Sequence, residues 1–296
     1  MMLTSHNLEQ LSQQAIKAAQ KAAKIINEYA NKEVKVESKT GGENLASQIV
    51  TVADRLSQEV ILEELQSTFQ TYNLGLLTEE SEDDHSRFTK EYFWCIDPLD
   101  GTLPFTEKKK GYSVSIALIS KTGIPQIGVV FNPVNNKVLH AVRGVGVYEN
   151  GQPVKMQDLK KTNRSFTLII DKSFRKHRLF QKTKAFFENL SSEQELRIID
   201  TGGAVLNACW VLENNPACYV KFPKKATGGG SLWDFAATTC IFNELDAIVC
   251  NLDNQALNLN QASTFMNKQG VLFCTSPSIS KAVQDFYHEN KDGFLI

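Results

Sequence analysis

The chain has 296 residues, 42% hydrophobic and 22% charged, with 32 Lys and Arg against 33 Asp and Glu. That length supports a large core in one domain or two closely joined ones. A net charge of −1 excludes a global field that would recruit nucleic acid or an anionic membrane. No apolar run approaches a membrane span, and the opening MMLTSHNLEQLSQQ is too polar for a secretion signal. The six cysteines form no CxxC pair and read as reduced packing residues, which predicts a cytoplasmic protein. Five scattered histidines show no zinc spacing, so a metal site here must be built from carboxylates.

Apolar side chains at Leu8, Leu11, Ala15, Ile16, Ala19, Ala23 and Ile26 predict an amphipathic helix over 3–29. The polar stretch 38–44, with Gly41 and Gly42 at its centre, predicts a mobile loop, either a plain connector or a lid. A second helix is expected over 47–69, burying Val52, Leu56, Val60 and Leu65. Asp54 falls near its first turn, where the helix dipole alone would favour a carboxylate. The apolar run 74–77 then stops at Glu79-Glu80-Ser81-Glu82-Asp83-Asp84. Such a run is ordinarily a solvated loop, but Glu79 stands at the exit of a strand.

Residues 92–96 form another aromatic, apolar strand, broken abruptly by Asp97-Pro98-Leu99-Asp100-Gly101-Thr102. Two carboxylates three positions apart thus share one turn, stiffened by Pro98. Gly101 and Thr102 add backbone N–H groups that no side chain crowds. Converging carboxylates beside free amides suit a hard divalent cation and a phosphate oxygen. Asp-Pro and Asp-Gly are also ordinary surface turns, so the weight rests on companions elsewhere in the chain. A helix starting near Gly101 would aim its positive end at these acids. Lys108-Lys109-Lys110 reads as a surface turn.

Strands are expected over 112–119, 126–131 and 137–142, with a hairpin over 147–154 turning at Asn150-Gly151. The N-terminal half, 1–155, is therefore two helices and an antiparallel meander. From 156 to 296 strands and helices alternate, as in an α/β subdomain. Strands are expected over 166–170, 196–199 and 217–222, and a helix over 173–190. Gly202-Gly203-Ala204 opens a helical run, where glycines allow either a ligand near the amides or close packing. Thr227-Gly228-Gly229-Gly230-Ser231 leads into a last motif, Trp233-Asp234-Phe235-Ala236-Ala237, with Ser231 as helix cap and Asp234 in the first turn.

Taken together, Glu79-Glu80-Ser81, the Asp97–Thr102 turn and the Trp233-Asp234 helix start resemble the inositol monophosphatase superfamily of lithium-sensitive, magnesium-dependent phosphatases. Val50-Thr51-Val52-Ala53-Asp54 is similar to that family's aspartate-bearing helix, and the run from Gly202 to Cys209 to its substrate-side helix. The resemblance covers roughly residues 36–250 and is specific as a set. It implies a layered α/β/α/β/α sandwich, a homodimer, and a site between the two halves. Carried over by position, Glu79, Asp97 and the Leu99 carbonyl would hold a first magnesium ion, and Asp97, Asp100 and Asp234 a second. Glu79 would also reach a weaker third ion. Thr102, backed by Asp54, would orient the attacking water and relay its proton. Gly101 and Thr102 would meet the phosphate, and Gly203 and Ala204 would lie on the substrate side.

The ester is less determined. Where inositol phosphatases place a carboxylate, this chain has Lys221, a donor that favours a second anionic group unless it simply points to water. That tips the reading toward a 3′(2′),5′-bisphosphate nucleotide such as adenosine 3′,5′-bisphosphate. An inositol or other sugar phosphate is the alternative, since Leu103-Pro104 after Thr102 matches neither branch. A regulator that keeps the fold and binds phosphate without turnover is a third reading. A nucleic acid polymer or a membrane is not an expected partner.

Overall fold

A computed structural model describes residues 2–30, 32, 36–38, 49–159, 162–192 and 194–295. The predicted loop at 38–44 falls outside them except for Ser38. Helix α1 (Ser5–Tyr29) opens on a capping box, in which the Thr4 hydroxyl accepts the Asn7 N–H and Asn7 returns the bond. Its alanine-rich face, with Ala15, Ala18, Ala19, Ala22 and Ala23 buried, lets α2 (Val52–Tyr72) approach closely.

Two short strands, β1 (Val36–Ser38) and β2 (Ile49–Thr51), pair antiparallel just before α2. The predicted helix start at 47 is thus corrected to 52. The β-branched run Ile49-Val50-Thr51 prefers extended backbone, and Thr51 caps α2 through a reciprocal box with Asp54. The buried face also differs from the expected apolar stripe. Val52, Leu56 and Val60 are only part-buried, while Ala53, Asp54, Ser57, Gln58, Ile61, Leu65 and Thr68 face inward. A polar inner face is what a helix shows when it walls a polar site.

The first sheet runs β3 (Gly75–Thr78), β4 (Tyr92–Asp100), β5 (Ser113–Ser120), β6 (Pro125–Asn132), β7 (Lys137–Val142), β8 (Gly146–Glu149) and β9 (Gln152–Val154) in that spatial order. Neighbours are antiparallel except β3 and β4, which run parallel and release Glu79 and Asp97 at the same edge. Side chains on β4 alternate: Trp94 and Ile96 join the core under α1 and α2, while Phe93 and Cys95 join the core on the opposite face. By that parity Asp97 points away from α1. Two further elements follow β4 and β9, the short α3 (Thr102–Thr106) and the single turn α4 (Met156–Leu159).

The second sheet has the order β11 (Glu195–Ile199), β10 (Thr162–Ile169), β12 (Asn215–Lys221), β14 (Val271–Cys274) and β13 (Ile248–Cys250). Its first three strands are parallel and its last two antiparallel. Helices α6 (Ala204–Glu213) and α7 (Leu232–Glu244) fill the space between the sheets, in a core with Tyr219 and Phe273. Helices α5 (Phe180–Leu190) and α8 (Pro277–Glu289) cover the outer face of the second sheet. Three cores join five layers, the central one enclosing α6 and α7 between the sheets, as expected for the α/β/α/β/α sandwich. The helix expected over 173–190 is split: a 3-10 turn, Lys172–Lys176, ends at extended His177, and α5 begins at Phe180. The break lets the Phe174 ring pack against both Phe180 and Phe222. All six cysteines are buried and unpaired, and among the described residues no helix is long and apolar enough to cross a membrane.

Candidate active site

Asp97 and Asp100 leave β4 on one turn, both buried. Asp234 arrives from the first turn of α7, where its carboxylate accepts the Ser231 N–H at 2.5 Å. Ligand atoms of Asp97, Asp100 and Asp234 lie within 4.8 Å of one another. Glu79, whose N–H donates to Ile96 O at 3.1 Å, is hydrogen-bonded through its side chain to Asp97. Four acids from three segments therefore share one cleft.

Their electrostatics follow from that crowding. Burial first, and then the charges of Glu79, Asp100 and Asp234, hold the Asp97 carboxyl well above the usual range. Asp100 is raised by burial and by Asp234, against the pull of the Val205 and Ala204 amides. Asp234 is pushed up to about 6 by loss of solvent and by Glu79, and Lys221 opposes the shift. A set of hard oxygen donors whose charged form is disfavoured without a counter-ion fits a hard divalent cation such as magnesium, manganese or calcium.

Asp54 reaches the cleft from α2. One carboxylate oxygen accepts the Thr51 N–H at 2.8 Å and the Thr51 hydroxyl at 2.5 Å. The other lies 3.1 Å from the Thr102 hydroxyl, which is also 3.2 Å from Leu99 O. Capping α2 and holding Thr102 are compatible tasks for one residue. Gly101 sits at φ +84°, and a Cβ there would meet Gly111 O at 2.6 Å, so only glycine serves.

Gly203 and Ala204 are close to this cluster, but their amides are already engaged. The Gly203 N–H donates to Gly111 O at 2.7 Å, and the Ala204 and Val205 N–H groups donate to the Asp100 carboxylate at 2.9 and 3.0 Å. The start of α6 therefore holds Asp100, and of the two alternatives for these glycines the amides show the contact within the protein. A Cβ on Gly203 would overlap that carboxylate.

Lys221 does not point to water. Its ammonium pairs with Asp171 at 2.7 Å, is only 13% exposed, and lies 5.5 Å from the Phe235 ring centre. Tyr219 donates its hydroxyl to the second Asp171 oxygen at 2.9 Å. Lys221, Asp171 and Phe235 line a cavity of about 300 Å³ together with Lys176, Lys224 and Gly229.

Gln58 was missed at the sequence level. One turn beyond Asp54, its carbonyl accepts from the Thr78 hydroxyl at 2.6 Å and the Glu80 N–H at 3.2 Å, while its amide donates to Ser81 at 2.8 Å. Those bonds fix the turn bearing Glu79. The i, i+4 relation to Asp54 was the available signal. In the acid run Glu82 and Asp84 are exposed as expected, but Asp83 is paired with buried Arg87 at 2.7 Å.

Comparison with known proteins gives the inositol monophosphatase family over residues 7–287. The Nus factor SuhB of Haemophilus influenzae is 30% identical over 239 residues, covering 81% of this chain and 84% of its own. Human inositol monophosphatase 2 is 27% identical over 258 residues, covering 85% and 83%. The solved structure of an inositol monophosphatase from Thermotoga maritima superposes with a TM-score of 0.70 at 24% identity, covering 93% of this chain and 96% of that one.

Proposed function

The chain belongs to the inositol monophosphatase family, and we propose that it is a magnesium-dependent phosphomonoesterase whose metal ligands are Glu79, Asp97, Asp100, Asp234 and the Leu99 carbonyl. The observation that carries this reading is the meeting of Asp97 and Asp100 with Asp234, more than 130 residues away, within 4.8 Å. Two or three magnesium ions bound there would supply an acidified water and charge neutralisation at the leaving oxygen. The protein's own residues do the rest. Thr102 holds the attacking water by its hydroxyl and passes the proton to Asp54, 3.1 Å behind it. The Gly101 and Thr102 amides steady the phosphate. The start of α6 keeps Asp100 from swinging away.

For the ester we favour a polyol phosphate such as inositol 1-phosphate. Lys221 and Asp171 together present a neutral pair of donor and acceptor, which suits hydroxyl groups better than a second phosphate. Human and other relatives named inositol monophosphatases agree with this. The bisphosphate nucleotide remains the second reading, supported by Lys176 and Lys224 on the same cavity wall. Phosphate release from inositol 1-phosphate and adenosine 3′,5′-bisphosphate, each with and without magnesium, decides between them. We expect kcat/KM for inositol 1-phosphate to be higher by about tenfold or more, as a mispaired polar pocket would give. A reversed ratio selects the nucleotidase, and no magnesium-dependent release from either ester removes the phosphatase reading.

The raised acids also set a pH dependence. Asp234 titrates near 3.8 unfolded and at about 6 folded, so the metal-free folded state binds the extra proton between those values. Its stability therefore falls as pH rises through that window, and the loss is complete above it. A cation that relieves the loss should raise Tm by about 5 °C or more near pH 7.5. Near pH 5, where the acids hold their protons, the shift should be much smaller. Thermal melts with magnesium and with EDTA at both pH values measure it. Equal shifts would count against these carboxylates as the ligands.

A further inference from the structure

The side chain of Arg87 is fully buried, at 0% exposure, and nothing in the proposed chemistry uses it. It stands on a 3-10 turn, Ser86–Phe88, in the connection that begins at Glu79 and ends at β4. Its Nε donates to Asp83 at 2.7 Å. Its Nη1 donates to Asn260 Oδ1 at 2.7 Å and to Gln261 O at 2.9 Å, and its Nη2 to Ala262 O at 3.2 Å. The guanidinium rests 3.9 Å from the Phe88 ring centre. Asn260 answers by donating its side-chain amide to Arg87 O at 3.1 Å and Lys121 O at 2.9 Å. A buried guanidinium is tolerated only when its donors are used, and here one bond goes to nearby Asp83 and three to the distant segment 260–262.

The segment that Arg87 grips leads straight to the metal site. Beyond Ala262, Thr264 O accepts the Leu232 N–H at 2.9 Å, Met266 N donates to Gly230 O at 3.0 Å, and Phe265 forms a bridge with Ser231. Ser231 in turn donates to the Asp234 carboxylate. A chain of short bonds therefore runs from the Glu79 connection to the acid on α7. A strut of this kind has work to do, because Asp97, Asp100 and Asp234 repel one another until a cation arrives. Ser115 Oγ, donating to Trp233 O at 3.0 Å, is a second tie across the same gap.

We propose that Arg87 is a positioning residue, which by clamping the 260–266 segment holds Asp234 at the spacing a divalent cation needs against Glu79 and Asp97. The inference rests on the metal reading given above. Its test is Mn²⁺ binding to the full chain followed by EPR, in wild type, Arg87→Met and Asn260→Ala. Asn260→Ala leaves the Asp83–Arg87 pair and the bond from Arg87 Nη1 to Gln261 O in place, so it disturbs the fold less than Arg87→Met. Each folded variant should bind Mn²⁺ about tenfold more weakly or worse, as loss of an outer support does elsewhere. The magnesium concentration giving half-maximal phosphate release should rise by the same factor, with kcat at saturating magnesium within about threefold of wild type. Arg87→Lys, which cannot reach both segments, should not restore binding. A role confined to stability would lower Tm and leave the Mn²⁺ affinity unchanged. Wild-type affinity in folded Asn260→Ala overturns the proposal, whereas a wild type that binds no Mn²⁺ overturns the metal reading beneath it.

Discussion

Asp97→Asn is expected to lower kcat/KM by about 10²–10⁴-fold and yet to yield a metal-free protein that melts at a higher temperature. Both effects come from one atom. In the reading above, Asp97 is the acid shared by two cations, and losing such an electrostatic group costs about 3–5 kcal/mol of barrier. The fold makes a smaller demand on it. Asp97 Oδ1 accepts the Leu99 N–H at 3.0 Å, and an asparagine oxygen can keep that bond. The new amide can donate to Glu79, the group already hydrogen-bonded there. Burial and the surrounding acids hold the Asp97 carboxyl well above its usual range, so ionising it near pH 7.5 costs the folded state stability that the unfolded chain keeps. The neutral amide does not bear that cost. Activity at saturating magnesium and a melt in EDTA measure the two halves separately. Near-normal turnover would remove Asp97 from the metal site, and a lowered melt would mean the amide has lost the Leu99 bond.

What the sequence showed of this molecule was whatever is encoded locally. The Asp97–Thr102 turn was legible because Asp-Pro and Asp-Gly stop a strand by themselves, wherever that strand later lies. Ser231 and Asp234 were legible as a helix start for the same reason, and the structure joins them in a capping box. Of the contacts between distant segments, the resemblance implied the meeting of Asp97, Asp100 and Asp234 and the backing of Thr102 by Asp54, and the others were not legible. The stripe Val52, Leu56 and Val60 has helical spacing, but periodicity gives a face and says nothing about which face turns inward. Tertiary context chose the one bearing Asp54 and Gln58, since a polar site lies beyond it. Lys221 looked like a free cation because its partner Asp171 is 50 residues away, at the cap of the 3-10 turn Lys172–Lys176. Arg87 and Asn260 are 173 residues apart, and an arginine in an acid-rich loop carries no sign that it will be buried. Gly203 admits either a ligand or close packing by sequence, and the space beside it is filled by the Asp100 carboxylate. In each case the residue type was right for a site, and the partner was set by packing.

Thr102→Val should reduce kcat by about 10²–10⁴-fold while leaving KM and the half-saturating magnesium concentration close to wild type. Valine nearly matches threonine in shape and removes only the hydroxyl, so the phosphate-facing backbone at Gly101 and Thr102 stays in place. The hydroxyl lies 3.1 Å from Asp54 and 3.2 Å from Leu99 O, and its one proton serves one of them at a time. In the proposed mechanism that switch would let it hold a water and hand a proton toward Asp54 in the same motion. Without it, the Asp54 carboxylate keeps its two bonds to Thr51 but loses a buried donor, for a stability cost of about 1–3 kcal/mol. Thr102→Ser restores the hydroxyl and should recover most of kcat, a rescue that a purely structural role would not require to follow the oxygen. If valine raises KM and the magnesium requirement without lowering kcat, Thr102 binds and does not relay. If valine and serine behave alike, the hydroxyl has no part in turnover, and Asp54 is left with the capping of α2 as its whole task.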